Sequence, residues 1–163
     1  MKKIQKIVLP IWHNLGVWLI NIVFFAVLSI TSEFFLTSTN IINVIRQISV
    51  NGIIALGATF VVLGGEIDLS QGPLVAFLGC TSAKLMVESG MNYIVAIIVT
   101  VLIGIAIGTV TGLVVSLLNV PSFITTLGIQ YAFTGIVLLV TNSHPISGLP
   151  SSFMVLGRGY VGP

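Results

Sequence analysis

The chain has 163 residues, of which 56% are hydrophobic and 6% charged, with a mean hydropathy of +1.16 and a formal net charge of +2. A soluble domain carries about 25% charged residues, so this chain lacks the means to cover itself with a solvated surface and belongs in a bilayer. Its six bases are scattered and form no basic patch of the kind that nucleic acid requires.

A hydrocarbon layer about 30 Å thick takes about 20 apolar residues per helix, so the length allows about five spans with short connections. The apolar runs are continuous and not alternating, which argues against a membrane barrel. The expectation is an all-α, polytopic transmembrane helix bundle. It forms a single transmembrane domain over residues 1–163, with a broken-helix region around residues 64–73.

Lys2, Lys3 and Lys6 precede an apolar run at residues 12–30. The run is longer than the core of a signal peptide, and residues 31–35 offer no small-residue cleavage site, so it reads as a retained first helix. The lysines place its start on the cytoplasmic side. Asn21 is expected to face another helix, because lipid would leave its amide unpaired. A polar interruption follows at residues 33–43, with Asn40 as the expected N-cap of an amphipathic turn at residues 41–48. Arg46 in that turn is read as snorkelling to the interface. The second helix, residues 50–63, is rich in Gly52, Ala55, Gly57 and Ala58, small residues that let helix backbones approach closely.

The sequence then breaks at Gly64-Gly65-Glu66-Ile67-Asp68-Leu69-Ser70-Gln71-Gly72-Pro73, which holds two of the four carboxylates in the chain. One reading is a short solvated turn. The other is functional, since a carboxylate costs roughly 2.5–3.5 kcal/mol at the centre of a membrane helix and is not kept there idly. A third helix spans residues 73–87, with Pro73 in its first turn, where the missing N–H costs nothing. Ser70 or Gly72 is the expected cap, and Asp68 lies near the positive end of the helix dipole. Cys80, the single cysteine, reads as a packing residue and Lys84 as snorkelling outward. Residues 88–92 form an exposed turn.

The fourth helix, residues 93–118, carries Gly104, Gly108 and Gly112 on one face, a spacing that supports close helix packing. Residues 119–122 break it at Pro121. A fifth span covers residues 123–140, and by alternation residues 141–163 lie outside. Thr125, Thr126, Gln130 and Asn119 are candidate pathway-lining residues, each equally able to satisfy helix backbone or a neighbouring helix.

The stretch from Val61 to Ser70, with its Gly-Gly-Glu-Ile-Asp-Leu-Ser core, resembles a signature of the membrane permease subunits of bacterial ABC importers for ribose, xylose, galactose and related sugars. Gln71 and Pro73 depart from the usual Val and Ser. Residues 40–49 are similar to that family's N-L-L-N-I-L-R-Q-V-S stretch, residues 120–128 to its V-P-P-F-I-V-T-L-G, and residues 141–150 to its T-G-G-x-P-I-x-G-L-P loop. Four matches in order are far more specific than any one. The resemblance implies a pathway-forming subunit working with cytoplasmic ATP-binding subunits, a second permease subunit and a periplasmic sugar-binding protein, in the bacterial inner membrane. It also implies a longer chain, of which these residues are the N-terminal portion, since nothing here matches the family's glycine-rich loop that meets the ATPase.

In that picture Asp68 pins the broken helix ends through hydrogen bonds, Glu66 faces the cytoplasmic side or the pathway, and Ser70 belongs to the same structural or pathway set. No G-x-x-x-x-G-K-S/T appears, so this chain is not the ATPase. His13 and His144 lie far apart with no carboxylate at ligand spacing, and no hydrolase or metalloprotease motif is present. No catalytic residue, cofactor or metal site is expected. The rival readings are an ion-coupled secondary carrier or small channel using Glu66 and Asp68, and a non-transporting membrane scaffold or truncated remnant.

Overall fold

Backbone inside a bilayer must satisfy its own hydrogen bonds, and a run of apolar residues does so as a helix. The computed structural model describes residues 2–158, with side chains over residues 15–157, so the expectation for the His13 side chain lies outside the described residues. Among the described residues there are six helices and no strand: α1 (Lys2–Thr31), α2 (Ser38–Leu63), α3 (Gln71–Val87), α4 (Tyr93–Leu118), α5 (Ser122–Thr141) and α6 (Ser151–Arg158). The chain divides into two compact units, Met1–Ala55 and Leu56–Pro163, with the boundary inside α2.

In the first unit, polar side chains turn back on their own helices. The Asn21 amide donates one N–H to the Val17 carbonyl of its own helix at 2.8 Å. Phe25 and Phe35 meet edge to face at 5.3 Å across the turn after α1. The start of α2 is corrected. Thr37 is the capping residue: its Oγ1 accepts from the Asn40 N–H at 3.3 Å, while Asn40 Nδ2 donates back to the Phe35 carbonyl at 2.7 Å. From there α2 runs unbroken through the amphipathic turn and the small-residue segment, which the sequence reading had separated. Arg46 Nη1 donates to Asn43 Oδ1 at 3.4 Å, one turn back.

In the second unit, α3 packs against both α4 and α5. Phe77 meets Phe133 of α5 with ring centres 4.7 Å apart, and Leu78 presses on Gly104 of α4, where an added Cβ would lie 3.1 Å from Leu78 Cδ1. Lys84 does not simply extend outward. Its Nζ donates to the Val140 carbonyl at the end of α5 at 3.0 Å and pairs with Glu88 at 3.1 Å. Gly90, at φ +62°, turns the chain after α3, and Asn92 caps α4 by accepting from the Ile94 N–H at 2.9 Å. Left-handed Asn119 and Asn142 close α4 and α5.

Helices α2, α4 and α5 are long and apolar enough to cross a membrane. Of the other two expected spans, α3 has 17 residues, about 26 Å at 1.5 Å per residue, and the described side chains of α1 cover residues 15–31. Burial is inverted relative to a soluble core: four hydroxyl residues (Ser70, Ser82, Ser122, Thr126) are buried alongside Met86 and Ala96, while large apolar side chains along α2, α4 and α5 are exposed. That is the pattern of helices joined by small and polar contacts, with apolar faces turned outward.

Candidate functional site

Helix α2 ends in a Schellman motif. The Val61 carbonyl accepts from the Glu66 N–H at 3.2 Å and the Val62 carbonyl from the Gly65 N–H at 2.9 Å. Gly65 sits at φ +79°, a conformation that glycine adopts without a Cβ penalty. The motif stops the helix and leaves residues 66–70 as non-helical backbone, whose N–H groups need partners if water is excluded.

Those partners come from the first turns of α5. The Ile67 N–H donates to Ser122 Oγ at 3.1 Å, and the Leu69 N–H donates to Thr126 Oγ1 at 3.1 Å. The Thr126 hydroxyl in turn donates to the Ile67 carbonyl at 3.4 Å. Ser122 and Thr126 are four residues apart and therefore on one face of the helix, and both are buried. The third partner is local: Asp68 Oδ1 accepts from both the Ser70 N–H (2.8 Å) and the Ser70 hydroxyl (2.6 Å). Ser70 thus holds the cap position of α3, one of the two positions expected for it, while its hydroxyl points back to Asp68 and makes no cap bond.

Beside this clamped segment lies a cavity of about 400 Å³. Glu66, Asp68, Ser70, Ser122 and Thr126 form one wall, Gly108, Thr111 and Gly112 of α4 another, and Phe60, Val61 and Leu74 supply apolar surface. The lining holds two carboxylates and no cation. The Glu66 side chain has no partner among the described residues and is exposed. The arrangement offers carboxylate acceptors to a polar solute and no cation to pair with a solute's carboxylate.

Four of the seven candidate structural or pathway residues come together here: Glu66, Asp68, Ser70 and Thr126. The other three do not line this cavity. Asn119 is the exposed left-handed residue closing α4, Thr125 donates to the Pro121 carbonyl of its own helix at 3.3 Å, and Gln130 lies farther along α5. The glycine face of α4 divides: Gly104 packs against Leu78, whereas Gly108 and Gly112 have open space where a Cβ would go and line the cavity instead. Ser122 and Thr111 were not anticipated. Ser122 was read only as part of a helix break, although its spacing of four from Thr126 was the available signal. Among the described residues no group of three or more His, Cys, Asp or Glu is placed to hold a metal ion.

Residues 40–153 match the family described as branched-chain amino acid transport system / permease component. The chain belongs to this family. As a family member with three helices of membrane-crossing length and composition, it is a membrane protein. It is 41% identical to the ribose import permease protein RbsC of Bacillus subtilis, over 92% of this chain and 47% of the relative. It is 36% identical to the xylose transport system permease protein XylH of Haemophilus influenzae, over 99% of this chain and 42% of the relative. It is also 39% identical to the probable ABC transporter permease protein YphD of Escherichia coli, over 82% and 40% respectively. The permease chain described here therefore spans less than half the length of these relatives. No solved structure matches it at a significant level.

Proposed function

We propose that these residues form part of the membrane-spanning permease subunit of an ATP-driven importer for a sugar or a related small polar solute. The cavity beside the clamped break lies on the solute's route. The observation that carries this reading is a cavity lined by two carboxylates and several hydroxyl residues, without a cation, at a helix break in a chain whose relatives are named for ribose and xylose. Non-helical backbone is tolerated at membrane depth where it is buried in protein or lines a water-filled cavity, and Glu66, Ile67, Asp68 and Ser70 of this segment line the cavity. The two lining carboxylates are hydrogen-bond acceptors for the hydroxyls of a sugar.

The partners in this reading are cytoplasmic ATP-binding subunits, a second permease subunit and a periplasmic sugar-binding protein. The location is the inner membrane, with the N-terminus cytoplasmic. The test is uptake of radiolabelled ribose and xylose, with leucine as competitor, by cells whose sugar permease is replaced by the full reading frame containing these residues together with its partners. Uptake that collapses on ATP depletion, survives an uncoupler and ignores leucine is the expected result. Uptake abolished by the uncoupler at constant ATP would indicate an ion-coupled carrier. Absence of both uptake and a copurifying ATPase would indicate a scaffold.

A further inference from the structure

Gly104, Gly108 and Gly112 recur every four residues along α4, and none of them has a positive φ, so the backbone conformation does not call for glycine at any of them. At Gly104 the reason is contact, because an added Cβ would lie 3.1 Å from Leu78 Cδ1 of α3. At Gly108 and Gly112 an added Cβ would meet nothing within 4 Å. Glycine in a helix interior is destabilising relative to alanine, since it loses more conformational freedom on folding. Among the described residues, then, these two glycines weaken α4 and permit no close approach in exchange.

Their effect is room, for both line the cavity beside the break. The other wall of that cavity says what can use the room. Glu66 and Asp68 lie there, and carboxylates are costly against acyl chains, which argues against lipid as the occupant. The lining hydroxyls are largely committed inside the chain: Ser70 donates to Asp68 at 2.6 Å, Thr111 to the Ile107 carbonyl at 2.8 Å and Thr126 to the Ile67 carbonyl at 3.4 Å. Glu66 keeps its carboxylate oxygens unpaired among the described residues. The cavity therefore suits a molecule that brings hydrogen-bond donors and needs clearance on the side away from Glu66.

We propose that Gly108 and Gly112 are the residues that set the size of solute this permease passes. The carbon skeleton of the solute moves along the bare backbone of α4 at these two positions while its hydroxyls donate to Glu66. The proposal rests on the reading of the cavity as the solute's route, and adds that size selection resides on α4, across from the carboxylates.

The test compares the full reading frame containing these residues, expressed with its partners, as the unmodified protein and as the Gly108→Ala, Gly112→Ala, Gly108→Leu and Gly112→Leu variants. Uptake of radiolabelled ribose and xylose is normalised to the permease present in the membrane, and thermal unfolding is followed on the detergent-purified protein. The Ala variants should unfold at an equal or higher temperature than the unmodified protein, because alanine favours the helix and enters open space. Uptake should fall all the same, by about tenfold or more in the Leu variants and by less in the Ala variants, in line with what added methylenes are worth in a substrate pocket. A lower unfolding temperature in both Ala variants would overturn the proposal, since another protein segment and not a solute would then occupy the space. Unchanged uptake in the Leu variants would also overturn it, leaving the cavity as the route but without a size limit at α4. Absence of sugar uptake by the unmodified protein would instead sink the reading of the cavity, and this proposal with it.

Discussion

Asp68 Oδ1 receives two hydrogen bonds from one residue, the buried Ser70. Asp68→Ala removes both and leaves a buried N–H and a buried hydroxyl unpaired, a loss of about 1–3 kcal/mol for each unsatisfied group. Glu66, two residues away, is exposed and bonds to no described side chain, so Glu66→Ala should leave stability unchanged. Thermal unfolding of the detergent-purified protein should therefore separate the two variants, and uptake should fall further in Asp68→Ala. Equal, near-normal uptake in both would count against any role for the break. Gly65 makes the complementary case in the backbone. At φ +79° it admits a side chain only with left-handed strain of roughly 1–2 kcal/mol, so Gly65→Ala should lower the unfolding temperature although open space surrounds the position.

The clamp between residues 66–70 and α5 joins elements more than fifty residues apart in sequence. Ser122 is the first residue of α5 and follows Pro121, which sits at φ −53° and ψ 131°, the extended conformation that a residue before proline prefers. Ser122→Pro therefore costs the helix little, because its N–H is not needed at that position, and it isolates the loss of the hydroxyl. Ser122→Pro and Ser122→Ala should destabilise the protein alike, by about 1–3 kcal/mol, through the orphaned Ile67 N–H. Hydrogen exchange should quicken at Ile67 and Leu69 in the Ser122 and Thr126→Val variants but not in Thr125→Val, since Thr125 bonds only within its own helix. A Ser122→Pro protein with much greater loss than Ser122→Ala would show that helix geometry, and not the hydroxyl, carries the effect. At the opposite end of the same helices, Lys84→Met should cost less than about 1 kcal/mol, as its contacts with the Val140 carbonyl and Glu88 are solvent-accessible.

For the whole chain, features written locally were readable in the sequence: the spans of α4 and α5, the Gly-Gly stop of α2, the turn at residues 88–92 and the acids of the break. What escaped depends on distance or on short length. Nothing local marks Ser122 as the acceptor for Ile67, α6 has only eight residues in which to show a period, and the true cap of α2 was hidden among adjacent Thr, Ser and Asn residues of nearly equal capping ability. The second unit constrains sidedness sharply. The break and Ser122 meet at one end of α3, α4 and α5, while Lys84 and Val140 meet at the other. In a Cys80→Ala background, single cysteines at Ser89 and Ser143 should therefore react with a membrane-impermeant maleimide from the same side, and cysteines at Glu66 and Asn119 from the other. A cytoplasmic N-terminus and alternating spans place Ser89 and Ser143 outside, reactive in intact cells whose outer membrane has been made permeable. Reaction of Ser89 and Asn119 from one side would deny that α4 crosses the membrane. Reaction of Ser89 and Ser143 only after the inner membrane is opened would keep every crossing of the second unit and reverse the orientation, putting the clamped break on the periplasmic side, away from any cytoplasmic ATPase.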